Sequence, residues 1–246
     1  METERKMRLD KFIVESGLAT RTEIVKAAKN GAVKVNGVAV RRTSGHIDPV
    51  CDAVTYCGRE VIYRKFTYVM LNKPEGYVSA TSDDLSPTVL ELLPTELQRI
   101  GLFPCGRLDK NTLGLMLLTN NGPLAHKLLA PKNHVDKKYR FEVKFPISES
   151  DVKELERGVD IGGYMTAPCK VEMTGEFEGY ITLTEGKYHQ IKLMAEAVHN
   201  QITFLERVTF GPIKLDETLS RGEWRFLDEE EQKMLEARGV ETTVKQ

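Results

Sequence analysis

The chain has 246 residues, 41% of them hydrophobic and 29% charged, with a formal net charge of -1, enough for one large core or two modest ones. It has no run of about 18 apolar residues, and its start, Met1-Glu2-Thr3-Glu4-Arg5-Lys6, lacks the apolar stretch of a secretory signal. These features argue against a membrane span or a secreted product and lead us to expect a soluble, cytoplasmic protein; Cys51, Cys57, Cys105 and Cys169 lack the paired spacing of a zinc ribbon, so reduced thiols and no structural metal are expected.

In chain order, Leu9, Phe12 and Ile13 fall at helical spacing and Gly17 supplies a stop. Thr20 and Glu23 have capping-box spacing for a second helix whose apolar stripe is Ile24, Val25 and Ala28, ended by Asn30-Gly31. Val33-Lys34-Val35 then alternates into Asn36-Gly37, a strong hairpin turn, and returns as Val38-Ala39-Val40. Through residue 46, ten Lys and Arg residues face five acids, whereas from Asp216 onward the balance reverses, with Asp228-Glu229-Glu230-Glu231 reading as the solvated start of a helix. A near-neutral total thus hides a basic N-terminal module, the charge pattern of a phosphate-binding surface.

We place a domain boundary near residue 62, giving a first domain with its linker over 1–62 and a second over 63–246. In the second, Thr67 to Leu71 reads as a buried strand, and strand-like runs at Leu113 to Leu118, Lys138 to Phe145, Lys170 to Met173 and Tyr180 to Thr184 alternate with helix patterns after Pro123, Ser148 and His189. Strands joined irregularly, without a helix between each pair, predict an α+β fold on a largely antiparallel mixed sheet. Gly162-Gly163 and Gly175 read as turns, and no phosphate-loop pattern or repeat is present.

Three segments carry candidate chemistry. The loop Gly106-Arg107-Leu108-Asp109-Lys110 leads into the apolar run from Leu113, so Asp109 is either a carboxylate held by a rigid element or the cap of a turn. In Lys137-Lys138-Tyr139-Arg140-Phe141, Tyr139 shares a face with Phe141; on its own it reads as sheet core before it reads as a base-stacking aromatic. In Glu185-Gly186-Lys187-Tyr188-His189-Gln190-Ile191-Lys192, the stripe Ile191, Met194, Ala195 and Val198 faces inward and Lys192 lies off it, most simply a surface lysine, while His189 has no partner cluster that would make it a metal ligand.

Residues from Met7 to about Pro49 resemble the S4 RNA-binding domain, an αL-like fold, through Arg8-Leu9-Asp10-Lys11, Arg21-Thr22 and Gly31-Ala32-Val33-Lys34-Val35-Asn36-Gly37. The resemblance implies RNA contacts from Arg8, Lys11, Arg21, Lys34, Arg41 and Arg42. Over nearly the whole chain, Met70-Leu71-Asn72-Lys73-Pro74-Glu75-Gly76-Tyr77, the Gly106-Arg107-Leu108-Asp109 segment, Lys138-Tyr139, the Glu185 to Lys192 segment and Gly222-Glu223-Trp224-Arg225 resemble the RsuA-type pseudouridine synthases, with a departure at Leu193, where many relatives carry a second basic residue.

That resemblance implies isomerisation of uridine to pseudouridine in ribosomal RNA, of the small subunit before the large, without cofactor or metal. It implies Asp109 as the catalytic carboxylate, Tyr139 beside the base, Lys192 paired with the aspartate, and Arg107 at phosphate or in the space a flipped base leaves. The implied partner is ribosomal RNA, free or in an assembling ribosomal particle; a membrane is not, and a monomer is expected. A catalytically silent RNA-binding ribosome-assembly factor is the alternative of another class, and hydrolysis of the same glycosidic bond has no supporting motif.

Overall fold

The computed structural model describes residues 6–130, 133 and 135–240. Its contacts divide the chain into two compact units, Met1–Thr67 with Leu93–Leu102, and Tyr68–Leu92 with Phe103–Gln246. The first unit thus runs a few residues past the boundary read near residue 62 and takes in a later ten-residue segment.

In the first unit, β1 (Met7–Arg8) pairs with β4 (His46–Ile47), and α1 (Leu9–Glu15) and α2 (Arg21–Lys29) precede a four-stranded antiparallel sheet. Its order is β3 (Val38–Ala39), β2 (Val33–Val35), β5 (Val54–Tyr56) and β6 (Arg59–Glu60). The capping box forms: the Thr20 side chain accepts from the Glu23 amide and the Glu23 carboxylate accepts from the Thr20 amide. Leu9, Phe12, Ile13, Ile24, Ala28 and Val33 close one small core. The inward stripe of α2 is Ile24, Ala27 and Ala28; Val25, read from sequence as part of it, is 44% exposed. One position along a helix turns a side chain by about 100°, which carries Val25 off the buried face.

Gly17 lies at φ +80, and a Cβ built there would stand 2.0 Å from the Glu96 carbonyl oxygen. That close approach to α3 (Thr95–Gln98) packs the later segment against the helix pair.

The second unit is built on one large mixed sheet. Its strands in chain order are β7 (Tyr68–Lys73), β8 (Phe103–Pro104), β9 (Leu113–Thr119), β10 (Lys137–Val143), β11 (Lys170–Met173), β12 (Glu178–Leu183), β13 (Ile202–Phe210), β14 (Ile213–Lys214) and β15 (Trp224–Phe226). Across the sheet the order is β11-β12-β10-β13-β9-β7-β15, with β8 on β9 and β14 on β13. All pairings are antiparallel except β13 with β9, so the largely antiparallel mixed sheet is as expected. Helices α4 (Gly122–Leu129), α5 (Glu149–Arg157), α6 (Gln190–Ala197) and α7 (Glu229–Val240) complete the unit. Ser148 and Asp151 form a reciprocal capping box on α5, and Asp228 accepts the Glu231 amide at the start of α7. The acidic run is thus a helix entry, in which Glu231 also pairs with Arg225 at 2.7 Å.

Strand β13, which sequence patterning did not single out, sits at the centre of the sheet between β10 and β9. Its parallel contact with β9 depends on Gly114: the residue is at φ +93, and a Cβ there would lie 2.4 Å from the carbonyl oxygen of Arg207. Opposite it, Arg207 is 1% exposed and donates from Nε to the Leu115 carbonyl at 2.8 Å. No helix among the described residues is long and apolar enough to cross a membrane.

Candidate active site

The polar loop between β8 and β9 brings Asp109 to the end of the sheet, and three neighbours fix it there. Ser79 Oγ accepts from the Leu108 amide at 2.9 Å and donates to the Leu108 carbonyl at 2.8 Å. The Gly76 amide donates to the Lys110 carbonyl at 2.9 Å. Lys73, at the last position of β7 and 0% exposed, donates from Nζ to the carbonyls of Pro74, Lys110 and Thr112 at 3.0, 3.1 and 2.8 Å. A buried ammonium has three donors to satisfy, and here each meets a carbonyl, two of them in the Asp109 loop. The carboxylate is therefore held by its own backbone, which side-chain bonds clamp on both sides.

Lys192 projects from the first turn of α6 and places Nζ 2.7 Å from Asp109 Oδ2, both side chains about a quarter exposed. His189, immediately before α6, has left-handed backbone (φ 50) and brings Nε2 to 3.6 Å from Asp109 Oδ1. The turn that presents them is braced by Gln190, whose Oε1 accepts the Lys187 amide and whose Nε2 donates to Glu185; Glu185 also accepts from the Ala167 amide and the Tyr164 hydroxyl. Tyr139 on β10 is 8% exposed, yet together with Asp109 and Lys192 it lines an inner recess backed by Ile191 and Leu205. Tyr139 is thus at once a buried residue of the sheet and part of the recess wall.

This recess opens into a cleft of about 760 Å³ whose walls include Arg107, Lys137, Lys187, His189 and Arg207, within the roughly 300–1,000 Å³ typical of ligand pockets. Arg107 is exposed and lines both the recess and the cleft. Of the basic residues expected in the first unit, Arg8, Lys11, Arg21, Lys34, Arg41 and Arg42 are all exposed; Arg8 pairs with Asp10 at 2.7 Å and Lys11 with Glu15 at 3.5 Å. No group of three or more His, Cys, Asp or Glu side chains suited to a metal ion occurs among the described residues.

Sequence reading gave no role to Lys73, Lys137, His189 or Arg207. Lys73 was legible only as part of a motif, since a lysine ending a hydrophobic strand reads as its solvated tip; His189 lies eighty positions from Asp109, beyond any local pattern.

Burial pushes the Lys73 and Lys137 ammonium groups down to about 8 from an ordinary 10.5. Between those values the unfolded chain binds more protons than the folded one, so these lysines make stability rise with pH over that interval. Catalysis should run the other way, because deprotonated Lys73 loses one of the three donors that clamp the Asp109 loop. We therefore expect turnover to decline as pH rises through about 8 while the contribution of these groups to stability increases. Parallel pH profiles of single-turnover rate and thermal midpoint check this, and a rate that stays flat to about pH 10 would contradict it.

The sequence model of the RNA pseudouridylate synthase family matches residues 67–197, which include Lys73, Asp109, Tyr139 and Lys192. The chain belongs to that family. The S4 domain model matches residues 7–49 of this pseudouridylate synthase. A Bacillus subtilis protein described as an uncharacterized RNA pseudouridine synthase is 47% identical over 93% of the chain and 98% of its own length. The ribosomal small subunit pseudouridine synthase A of Vibrio cholerae is 37% identical over 92% of the chain and 97% of its own length. That of Escherichia coli strain K12 is 36% identical, covering 92% and 98%. A crystal structure of a pseudouridylate synthase superposes with a TM-score of 0.67 at 35% identity, covering 93% of this synthase and 99% of that chain.

Proposed function

We propose that this pseudouridine synthase isomerises one uridine of small-subunit ribosomal RNA in the cytoplasm, as a monomer, with Asp109 as the catalytic carboxylate. The observation that carries the reading is the clamped Asp109 carboxylate paired at 2.7 Å with Lys192 in a recess beside Tyr139. The target subunit is inferred from two relatives whose descriptions name the small ribosomal subunit and which match this chain nearly end to end.

The reaction breaks the bond from ribose C1′ to N1 and forms one from C1′ to C5; the C5 proton leaves and N1 gains one, so atoms and electrons balance without a redox partner. A stacked uridine cannot present C1′ and C5 to protein groups, so the base is turned out of the RNA into the recess. Tyr139 packs against it, Asp109 acts at the sugar during glycosidic cleavage, and the Lys192 ammonium favours the ionised carboxylate and fixes its rotamer. Arg107, exposed on the cleft wall, takes a phosphate or fills the vacated stack. The basic residues of 1–62 supply phosphate contacts, which position RNA without reading its sequence, while 63–246 does the chemistry. Because the phosphate contacts select little, presentation of the base by an assembling ribosomal particle supplies part of the specificity; equal turnover on free transcript and on particle would remove that element.

Pseudouridine mapping of both ribosomal RNAs, in cells lacking the protein and in cells restored with it, tests the function. Loss and recovery of one small-subunit site is the expected result. Loss at a large-subunit site corrects the target, and no change in either RNA overturns the reading in favour of an RNA-binding assembly factor. In vitro, Lys192→Ala should lower the single-turnover rate roughly tenfold to a hundredfold, the scale of a catalytic group left misplaced; an unchanged rate at neutral pH would make the Asp109–Lys192 pair dispensable.

A further inference from the structure

We propose that Tyr188, stacked on His189, is a platform for the nucleobase that neighbours the target uridine in the RNA strand. The inference rests on the pseudouridylation reading of the Asp109 cleft and adds a contact one nucleotide away.

Tyr188 is 77% exposed, a large aromatic ring that the protein leaves in water. Its ring lies against that of His189 with centroids 3.8 Å apart and an interplanar angle of 19°, a parallel stack. One face of the tyrosine is thus occupied and fixed, and the other is open. The stack is built from behind: the left-handed backbone of His189 turns the chain before α6, and Gln190, 4% exposed, holds the turn through the Lys187 amide and Glu185. Both rings line the cleft, and the lower one reaches to 3.6 Å from Asp109. In the pseudouridylation reading, a strand whose uridine reaches Asp109 lies in the cleft that this pair lines.

The surroundings select the class of occupant. Arg107, Lys110 and Lys187 line the same cleft, and Lys187 Nζ lies 4.2 Å from the Tyr164 ring centroid. A flat aromatic face among cations is the pairing that single-stranded nucleic acid uses, with bases stacked on rings and phosphates met by Lys and Arg. Stacking tolerates any base, so the platform orders the strand beside the flipped uridine without dictating which base stands there.

The test is a cycle on synthetic oligoribonucleotides spanning the uridine that the wild-type enzyme modifies, either intact or carrying an abasic residue immediately 5′ or 3′ of it. Tyr188→Ala should lower kcat/KM on intact RNA by about 5- to 150-fold, the range of one base–aromatic stack, and Tyr188→Phe should recover most of that loss. One of the two abasic RNAs should lower the wild-type value similarly, and on that RNA Tyr188→Ala should cost nothing further. Equal losses by Tyr188→Ala on intact and on both abasic RNAs, or no loss on intact RNA, would overturn the platform. A wild-type enzyme that forms no pseudouridine on any ribosomal RNA would instead sink the parent reading and the platform with it.

Discussion

Asp109→Asn should bind RNA and unfold at nearly the same temperature as the parent while forming no detectable pseudouridine, a loss of at least about 10³-fold in single-turnover rate. The substitution is nearly isosteric and the side chain is about a quarter exposed, so no cavity opens and the loop keeps its backbone bonds to Ser79, Gly76 and Lys73. What disappears is the negative charge that Lys192 and His189 approach and, in the proposed mechanism, the oxygen that acts at the ribose. Stability should shift little, because this pair is partly solvated and such pairs contribute modestly. Rate, affinity and melting measured on the same preparation separate chemistry from folding. Product formed at a rate within tenfold of wild type would remove Asp109 from the centre of the mechanism.

Lys73→Met is the second large effect, and it should divide the two observables differently. The ammonium is fully buried and bonds to three carbonyls; removing it leaves those oxygens short of a donor, at about 1–3 kcal/mol each where no other donor is found. Burying the charge also costs free energy, as its depression to about 8 records, and methionine of similar length relieves that cost. The opposing changes should leave stability within about 2 kcal/mol of wild type. The rate has no such compensation. Freed of the clamp at Lys110 and Thr112, the loop lets Asp109 drift, and a displacement of about 1 Å costs on the order of 10²-fold. We expect kcat to fall by that factor with little change in RNA affinity; a kcat near wild type would show that Ser79 and Gly76 alone suffice to hold the loop.

Local chemistry made much of this architecture legible. Thr20 with Glu23 and Asn36-Gly37 each specify a cap or a turn within four residues and form where their spacing predicts, and a helix begins after Ser148 as its pattern predicts. The Asp109 loop was visible as polar residues crowding the approach to an apolar run. Lys192 was not visible as a partner from its own helix, where it lies off the buried stripe; only family resemblance joined it to Asp109. Strand β13 escaped because its buried positions mix Leu205 with Arg207, so strict apolar alternation fails there even though the strand occupies the middle of the sheet. Lys73 and His189 escaped for a related reason: their contacts depend on partners brought close only in the assembled fold, Thr112 thirty-nine positions away and Asp109 eighty.

The position of β13 also bears on how the protein is made. The middle of the sheet is filled by residues 202–210, between strands that the ribosome has released into solution long before. During synthesis at about 5–20 residues per second, the nascent chain carries Asp109 for several seconds before Lys192 emerges, and it then waits for β13 to dock against Gly114. The sheet therefore stays incomplete until residues 202–210 have emerged, and its closing step is a long-range pairing of the kind that folds slowly.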